Sequence, residues 1–477
     1  MQYLDIFTHI TLSIALGFYL ITNLQWYNYK IQRVILKHHK ISWHLLYFVI
    51  PFVGYFTVPL DIFSLFVFVI YLPLLFLWNK KLDKKLVLTA RVKRYFIILV
   101  FILLAIDGLS LASKSDSYPL FLPLALTYII TTLLEKIFFI VYKSRAKQRL
   151  KTIRDLKIIA ITASYGKTSM KNYLYQVLNK KYNCYMTPRS VNTIGGIVKD
   201  INDDIPLDTQ IYIAEAGARE KGDIQDIVDF LEPQYSIIGS VGEQHIEYFK
   251  TLDNIIYTKM EVLNSPRLEY GFVHTTVPIL DYDTITSFPN DLKIISSTLD
   301  GLEFSIKIDD KIEIFKAPIL GEFNAINLTA VVLMAEYLGM KIEDIKKALL
   351  NIKGVDHRLK ITKAGGKTIL DDSFNGNLNG MIEACKISST FDGRKVIITP
   401  GVIEATNEDN IKLAKKIDEV FDIVILSGDL NYEVLKNNIK NKNIVRLKDK
   451  SKMEDILLKY AKSGDLILFA NDAPNFI

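Results

Sequence analysis

Cysteine is nearly missing: Cys184 and Cys385 are the only two in 477 residues. Two cysteines provide neither a zinc site nor a disulfide framework, which suits a reducing compartment. Internal repeats and low-complexity segments are absent. The opening MQYLD has no basic residue ahead of the first apolar run, and no small-residue cleavage site follows. A cleaved signal peptide is therefore not expected, and the first run reads as a retained anchor. Charge of one sign is scarce too, with a formal net of +6. Much of that excess lies in short runs beside apolar segments, a pattern that fits a membrane surface and not nucleic acid.

Apolar residues are what the chain has in quantity. They make up 50% of it, and the excess lies mostly before residue 143. Apolar stretches run Ile6–Trp26, Leu45–Val58, Ile62–Trp78, Tyr95–Ala112 and Tyr118–Tyr142. A membrane span takes about 20 apolar residues. The first, fourth and fifth meet that length. The second and third, parted by Pro59, Leu60 and Asp61, read as a tight hairpin or one re-entrant element. Basic loops follow the first stretch (Lys30, Arg33, Lys37, Lys40), the third (Lys80, Lys81, Arg91, Lys93, Arg94) and the fifth (Lys143, Arg145, Lys147, Arg149). All can face the cytoplasm if the N-terminus is outside and the number of spans is odd. Asp107 and Glu135 sit inside apolar stretches, where a paired helix contact or an interfacial position is expected ahead of a polar groove.

From Lys157 the texture changes. Short β-branched runs at Lys157–Thr162, Ile211–Glu215, Ser236–Ser240, Lys395–Thr399, Ile423–Leu426 and Leu466–Phe469 read as buried parallel strands. Helical periods such as Ser169–Leu178 and Asn410–Val420 lie between them. This alternation predicts an α/β architecture with a doubly wound sheet.

Three motifs there carry chemistry. In IIAITASYGKTSMKN a strand ends at Ile161 and a turn delivers Gly166, Lys167 and Thr168 to a helix start. Amides at a helix start cradle phosphate, a lysine neutralises it and a hydroxyl holds Mg²⁺. The strict eight-residue phosphate-loop pattern fails, because Ile161 stands where its first glycine belongs. In IYIAEAGAREKGDI a strand carries Glu215 to its C-terminal end, the ligand-binding edge of open α/β sheets. A lone glutamate there is as often a helix cap. In IIGSVGEQHIEYF and TKMEVL, His245 follows a strand and Lys259 lies in a helical run. A turn histidine and a solvated lysine are the bland readings of those two.

The order of these motifs resembles the Mur ligase family. Thr162, Ala163, Ser164, Tyr165, Gly166, Lys167 and Thr168 resemble its phosphate loop, and Glu215-Ala216-Gly217-Ala218 its acidic strand end. His245-Ile246-Glu247 and Thr258-Lys259-Met260-Glu261 resemble its next two elements. Gly321, Phe323, Asn324, Asn327 and Ala330 resemble a later helix start, and Arg358 a domain-linking arginine. The run from Asp371 and Asp372 through Ser373, Phe374, Asn375 and Gly376 to Asn377 resembles the D-alanyl-D-alanine-adding branch. The likeness covers about residues 156 to 470. It departs from the family at Ala163, which replaces a glycine, and at Phe469–Ala473, where the branch has a K-G-S-R element. A membrane region also stands where the family has a UDP-sugar-binding domain.

The apolar stretches and the resemblance together predict three parts: a membrane region with about five transmembrane helices in 1–150, read from the apolar stretches, then, as the resemblance implies, a central ATP-binding Mur ligase domain with a mostly parallel sheet in 151–355 and a Rossmann-like C-terminal α/β domain in 356–477. It implies ATP, two Mg²⁺ and a carbamylated Lys259. Ser164, Gly166, Lys167 and Thr168 would hold phosphates. Thr168 and Glu215 would ligate one metal, His245 and Lys259 another. Asn324 and Asn327 would contact adenine, Asp372 the ribose and Arg358 the γ-phosphate, with Asn375 also among the residues that bind the nucleotide. The implied activity is an ATP-dependent ligase joining D-Ala-D-Ala, or a related amine, to a muramyl peptide in cell-wall synthesis. Membrane lipid and other cell-wall enzymes are the implied partners. The implied location is the bacterial cytoplasmic membrane, multi-pass, with the catalytic domains in the cytoplasm. Two readings stay open beside it: a Mur-type ligase or amidating subunit acting on another acid, such as a lipid-linked one, and a nucleotide-binding membrane scaffold.

Overall fold

The computed structural model describes residues 2–36, 40–82, 85–113, 118–244, 246–278, 283–374, 376–403, 405–440 and 443–471. The chain divides into two compact units, Met1–Tyr142 and Lys143–Ile477.

The first unit is helical: α1 (Gln2–Trp26), α2 (Ile41–Thr57), α3 (Leu60–Lys80), α4 (Ala90–Ala112) and α5 (Phe121–Thr152). Among the described residues, α1, α3, α4 and α5 are long and apolar enough to cross a membrane, while α2 is shorter. The third stretch is thus longer than the sequence suggests, because its helix starts at Leu60 and runs on to Lys80. Leu12, Leu16, Tyr71, Leu99 and Leu103 fill the centre of the unit. Large apolar side chains also point outward, with Phe101 75% and Leu109 71% exposed. Asp107 and Glu135, the two acidic residues singled out within the apolar stretches, are both paired. Asp107 meets His9 at 3.2 Å, and Glu135 accepts from Arg94 through Nε at 2.9 Å and Nη2 at 2.5 Å.

Among the described residues, the second unit holds three sheets. Strands β1 (Lys157–Thr162), β2 (Cys184–Met186), β3 (Ile211–Glu215), β4 (Tyr235–Ile238), β5 (Tyr270–His274) and β6 (Ile285–Phe288) form a parallel sheet of order β2-β3-β1-β4-β5-β6. β3 and β4 are buried along their whole length and β1 beyond its first residue, as strands covered on both faces must be. Strands β7 (Lys293–Thr298), β8 (Gly301–Ile308) and β9 (Lys311–Ala317) form a small antiparallel sheet. Strands β10 (Lys360–Ala364), β11 (Lys367–Asp372), β12 (Lys395–Thr399), β13 (Ile423–Ser427), β14 (Asn443–Leu447) and β15 (Leu466–Ala470) form the third sheet. Its order is β10-β11-β15-β12-β13-β14, parallel except for the β10–β11 hairpin.

This unit begins before residue 150. Ala146, Leu150 and Ile153 pack into its core, and Arg149 donates to the Ile205 carbonyl at 2.8 Å. In the first sheet the chain leaves β1 with β3 on one side and β4 on the other. That is the topological switch point, where strand ends open a crevice for a ligand.

Candidate active site

The turn after β1 is shaped before any ligand arrives. Ser164 N–H donates to the Ser240 carbonyl at 2.9 Å, and Ser164 Oγ donates to the Gly242 carbonyl at 2.9 Å. These bonds staple the β1 turn to the β4 turn. Gly166 ends it at φ +81°, and a Cβ there would lie 2.5 Å from Asn327 Oδ1. Glycine is thus required both by backbone conformation and by space. Helix α6 (Lys167–Leu178) follows at once, so its free amides face the turn. Lys167 Nζ folds back onto the turn, donating to the Ala163 carbonyl at 2.5 Å and the Ser164 carbonyl at 3.0 Å.

Glu215, at the C-terminal end of β3, is 1% exposed. Its carboxylate accepts from Thr168 Oγ1 at 3.0 Å and Asn192 Nδ2 at 3.2 Å, and Lys171 Nζ stands 3.4 Å away. It is therefore not a helix cap. Thr168 Oγ1 and a Glu215 oxygen are suited to share Mg²⁺. Two neighbouring ligands of an octahedral ion at ~2.1 Å stand ~3 Å apart, and Mg²⁺ takes few protein oxygens, leaving the rest to phosphate and water.

Lys259 lies in α9 (Leu252–Met260) and is 3% exposed, so the solvated-lysine reading does not hold. Burial, then the positive charge of Lys167, holds its pKa well below that of an ordinary lysine. Lys167 keeps some solvent contact, yet burial brings its pKa down to about 8, against the pull of Glu215. Glu261, beside Lys259 in sequence, accepts from Gly222 N–H at 2.8 Å and Gln225 N–H at 3.0 Å. It caps α8 (Asp223–Leu231) and does not enter the site.

Asn324 and Asn327 lie in the first turns of α10 (Glu322–Tyr337). Asn327 Nδ2 donates to Asn324 Oδ1 at 3.0 Å, and Asn324 Nδ2 to the Leu320 carbonyl at 2.7 Å. Asn327 thereby stands against Gly166 in the turn. The turn leading into the third sheet contributes Arg358, and the end of β11 contributes Asp372. Arg358 stacks over the Phe374 ring at 4.7 Å and lies within electrostatic reach of Glu215 and Asp372. Asp372 Oδ1 accepts Leu359 N–H at 3.1 Å, and its enclosure raises its pKa to about 7 against the opposing charge of Arg358. His245 and Asn375 lie outside the described residues.

Lys167, Thr168, Glu215, Lys259, Arg358 and Asp372 therefore converge on one region. Lys171 and Asn192 escaped the sequence reading. Lys171 is fully buried, donates to the Arg189 carbonyl and approaches Glu215. Its position one helical turn after Lys167 was a usable signal, since i and i+4 share a face. Among the described residues no cluster of three His, Cys, Asp or Glu side chains is placed to hold a metal.

Residues 161–335 match the family described as the Mur ligase middle domain. Over those residues the second unit is similar to the Mur ligases, and the relatives it matches are MurF ligases. The UDP-N-acetylmuramoyl-tripeptide–D-alanyl-D-alanine ligase of Bacillus subtilis (strain 168) is 25% identical over 334 residues, covering 66% of this chain and 72% of the relative. The protein of that name from Borreliella burgdorferi is 28% identical over 327 residues, covering 64% and 69%. Among solved structures, MurF from Acinetobacter baumannii superposes with TM-score 0.60 at 22% identity, over 70% of this chain and 77% of that one. MurF ligase from Thermotoga maritima in complex with ADP gives TM-score 0.60 and 22% identity, over 70% and 80%. The structural likeness establishes that the second unit has the Mur ligase fold, with its parallel sheet and C-terminal α/β portion.

Proposed function

We propose that this chain is an ATP-dependent ligase that adds D-Ala-D-Ala, or a closely related amine, to a muramyl tripeptide through an acyl phosphate. The observation that carries the reading is the β1 turn at the switch point. There Lys167 and Lys171 flank the Thr168–Glu215 pair, an arrangement suited to a polyphosphate with its counter-ion.

In this reading the tripeptide carboxylate attacks the γ-phosphorus of ATP, the β–γ bridge breaks and ADP leaves. The dipeptide amine then attacks the acyl carbon, phosphate departs and the amine loses a proton. Catalysis of this kind rests on position and charge. Lys167 and the turn amides hold phosphate oxygens. Arg358 reaches the γ-phosphate from the second lobe, with Gly354–Arg358 as the hinge by which 356–477 closes on 151–355. Asn324 and Asn327 would serve the adenine and Asp372 the ribose. Thr168 and Glu215 would hold one Mg²⁺, which supplies charge neutralisation when bound. Lys259, carbamylated, would serve a second with His245. Its low pKa supports this, because the neutral amine is the form that adds to CO₂.

The first unit is read as a multi-pass anchor in the cytoplasmic membrane, with α2 as the short fifth span and the ligase unit in the cytoplasm. The outward apolar side chains favour it. The same feature favours a second reading, a lipid-linked acid as acceptor. A ligation assay on the purified full chain, with UDP-muramyl tripeptide against its lipid-linked counterpart, separates the two. ATP- and D-Ala-D-Ala-dependent product from the UDP-linked acid is expected. Product from neither acid overturns the function.

A further inference from the structure

Lys171 is a buried charge at the site to which the ligase reading gives no separate task. It lies in α6, one turn beyond Lys167, and is fully buried where Lys167 keeps some solvent contact. Its Nζ donates to the Arg189 carbonyl and stands 3.4 Å from Glu215 Oε2. Thr168 Oγ1 donates to that same oxygen at 3.0 Å, while Asn192 Nδ2 donates to the other, Oε1, at 3.2 Å. Lys167, Lys259 and Arg358 also lie within electrostatic reach of Glu215. Among the described residues, Lys171 is the cation that touches its carboxylate. A second carboxylate bears on the lysine. Asp200, in α7 (Ile194–Asp203), is buried and accepts from Tyr185 Oη at 2.6 Å and Tyr212 Oη at 3.0 Å. It lies within electrostatic reach of Lys171. Burial opposes the ammonium charge, and the two carboxylates favour it.

A carboxylate shut away from water with no cation beside it would be a strong ligand for any divalent ion. Here the oxygen that Thr168 shares, the one suited to Mg²⁺, already faces a fixed positive charge. An ion ~2.1 Å from Oε2 would stand within about 5.5 Å of Lys171 Nζ, given the 3.4 Å contact. At that range, in a site this buried, like charges repel strongly. Nucleotide phosphates reverse the balance, because they attract the ammonium and the metal alike. We propose that Lys171 is a positioning residue that acts through Glu215: it holds the carboxylate for the metal and, by its charge, keeps a divalent ion from settling there without nucleotide. Metal and phosphates then enter together. This inference rests on the reading of Thr168 and Glu215 as a Mg²⁺ pair.

The test uses the full chain in neutral detergent, with Mn²⁺ as the probe and no acceptor or dipeptide present. Electron paramagnetic resonance of free Mn²⁺ reads the affinity for metal alone, and calorimetry reads the affinity for ADP in the presence of Mg²⁺. Lys171→Gln retains a donor and removes the charge. It should bind Mn²⁺ alone at least about tenfold more tightly than wild type. Its affinity for ADP with Mg²⁺ should change less than about threefold, since the lysine repels metal and attracts phosphate. Adding Glu215→Gln should cancel the gain in Mn²⁺ affinity, which places that gain at this carboxylate. Lys171→Arg, with the charge kept, should bind Mn²⁺ alone as weakly as wild type. Lys171→Met, of similar length, serves as the second neutral variant where Lys171→Gln does not fold, with the same tenfold gain expected. Mn²⁺ affinity unchanged or lower in a folded neutral variant overturns the proposal, as does a gain equally large in Lys171→Arg. The two failures are distinguishable through Glu215→Gln alone. If that variant binds ADP with Mg²⁺ as wild type does, the metal-pair reading fails. If it binds more weakly while Lys171→Gln leaves Mn²⁺ affinity unchanged, only this proposal fails.

Discussion

Lys167 spends the ligand-free state bonded to carbonyls of its own turn, so removing it leaves no core cavity and no buried unpaired charge. Lys167→Ala should therefore melt close to wild type while ligation falls below about a tenth of the wild-type rate, since loss of a charge-stabilising donor costs roughly 3–4 kcal/mol of barrier. Rates retained above that level would remove the phosphate role. The same lysine sets a pH signature. Its pKa of about 8 in the free protein should rise when phosphate oxygens surround it, so nucleotide binding near pH 8.5 takes up a proton. Affinity then weakens as pH climbs from 7.5 to 9.5. Calorimetry in buffers of different ionisation enthalpy reads the uptake, and Lys167→Ala should abolish it.

Lys259 distinguishes the metal-site reading from plain packing. A buried lysine of low pKa could simply be tolerated, and then bicarbonate would leave it unchanged. As a carbamate it should give a bicarbonate-dependent carbonyl signal in ¹³C spectra that Lys259→Ala lacks. Activity of that variant should drop steeply and recover in part with short carboxylates, which offer the missing oxygen. Full activity in Lys259→Ala would end the carbamate assignment. These roles were legible only in part from sequence. The identities and order of Lys167, Glu215 and Lys259 could be read from motifs, whereas Lys171 and Asn192 matter through a carboxylate brought to them by tertiary folding.

At the scale of elements, the buried parallel strands were the legible ones. β1, β3 and β12 have the limits expected, because strands covered on both faces demand unbroken β-branched runs. β7 escaped notice because it is mostly exposed and its two isoleucines stand side by side among Lys, Ser and Thr, which gives no alternation. The β1 turn shows how an element depends on one residue. Gly166→Ala forces a side chain into a left-handed backbone and against Asn327 Oδ1. It should cost about 1–2 kcal/mol by thermal unfolding and weaken nucleotide binding at least tenfold. The helices of the first unit make a topological prediction. A reporter inserted between α4 and α5 should read as external, and one between α3 and α4 as cytoplasmic. The opposite pair of signals would mean that α2 does not cross.

For the whole molecule, the division after Tyr142 matters for how the two activities are parted. A chain beginning at Lys143 keeps Ala146, Leu150 and the Arg149 bond to Ile205, and should fold and bind ATP. One beginning after residue 150 loses those contacts and should be less stable by about 1–3 kcal/mol. If the shorter protein also ligates a UDP-linked acid, the helices serve only as an anchor.

The central claim is that a carboxylate of the acceptor is activated as an acyl phosphate on this site. The direct measurement starts from muramyl tripeptide labelled with ¹⁸O in the reacting carboxylate, incubated with ATP, D-Ala-D-Ala and the full chain. In the proposed sequence the oxygen that attacks phosphorus leaves with it, so the released phosphate should carry one ¹⁸O for each new amide bond. Phosphate released without label, or ATP turnover that ignores tripeptide and dipeptide alike, would contradict the account.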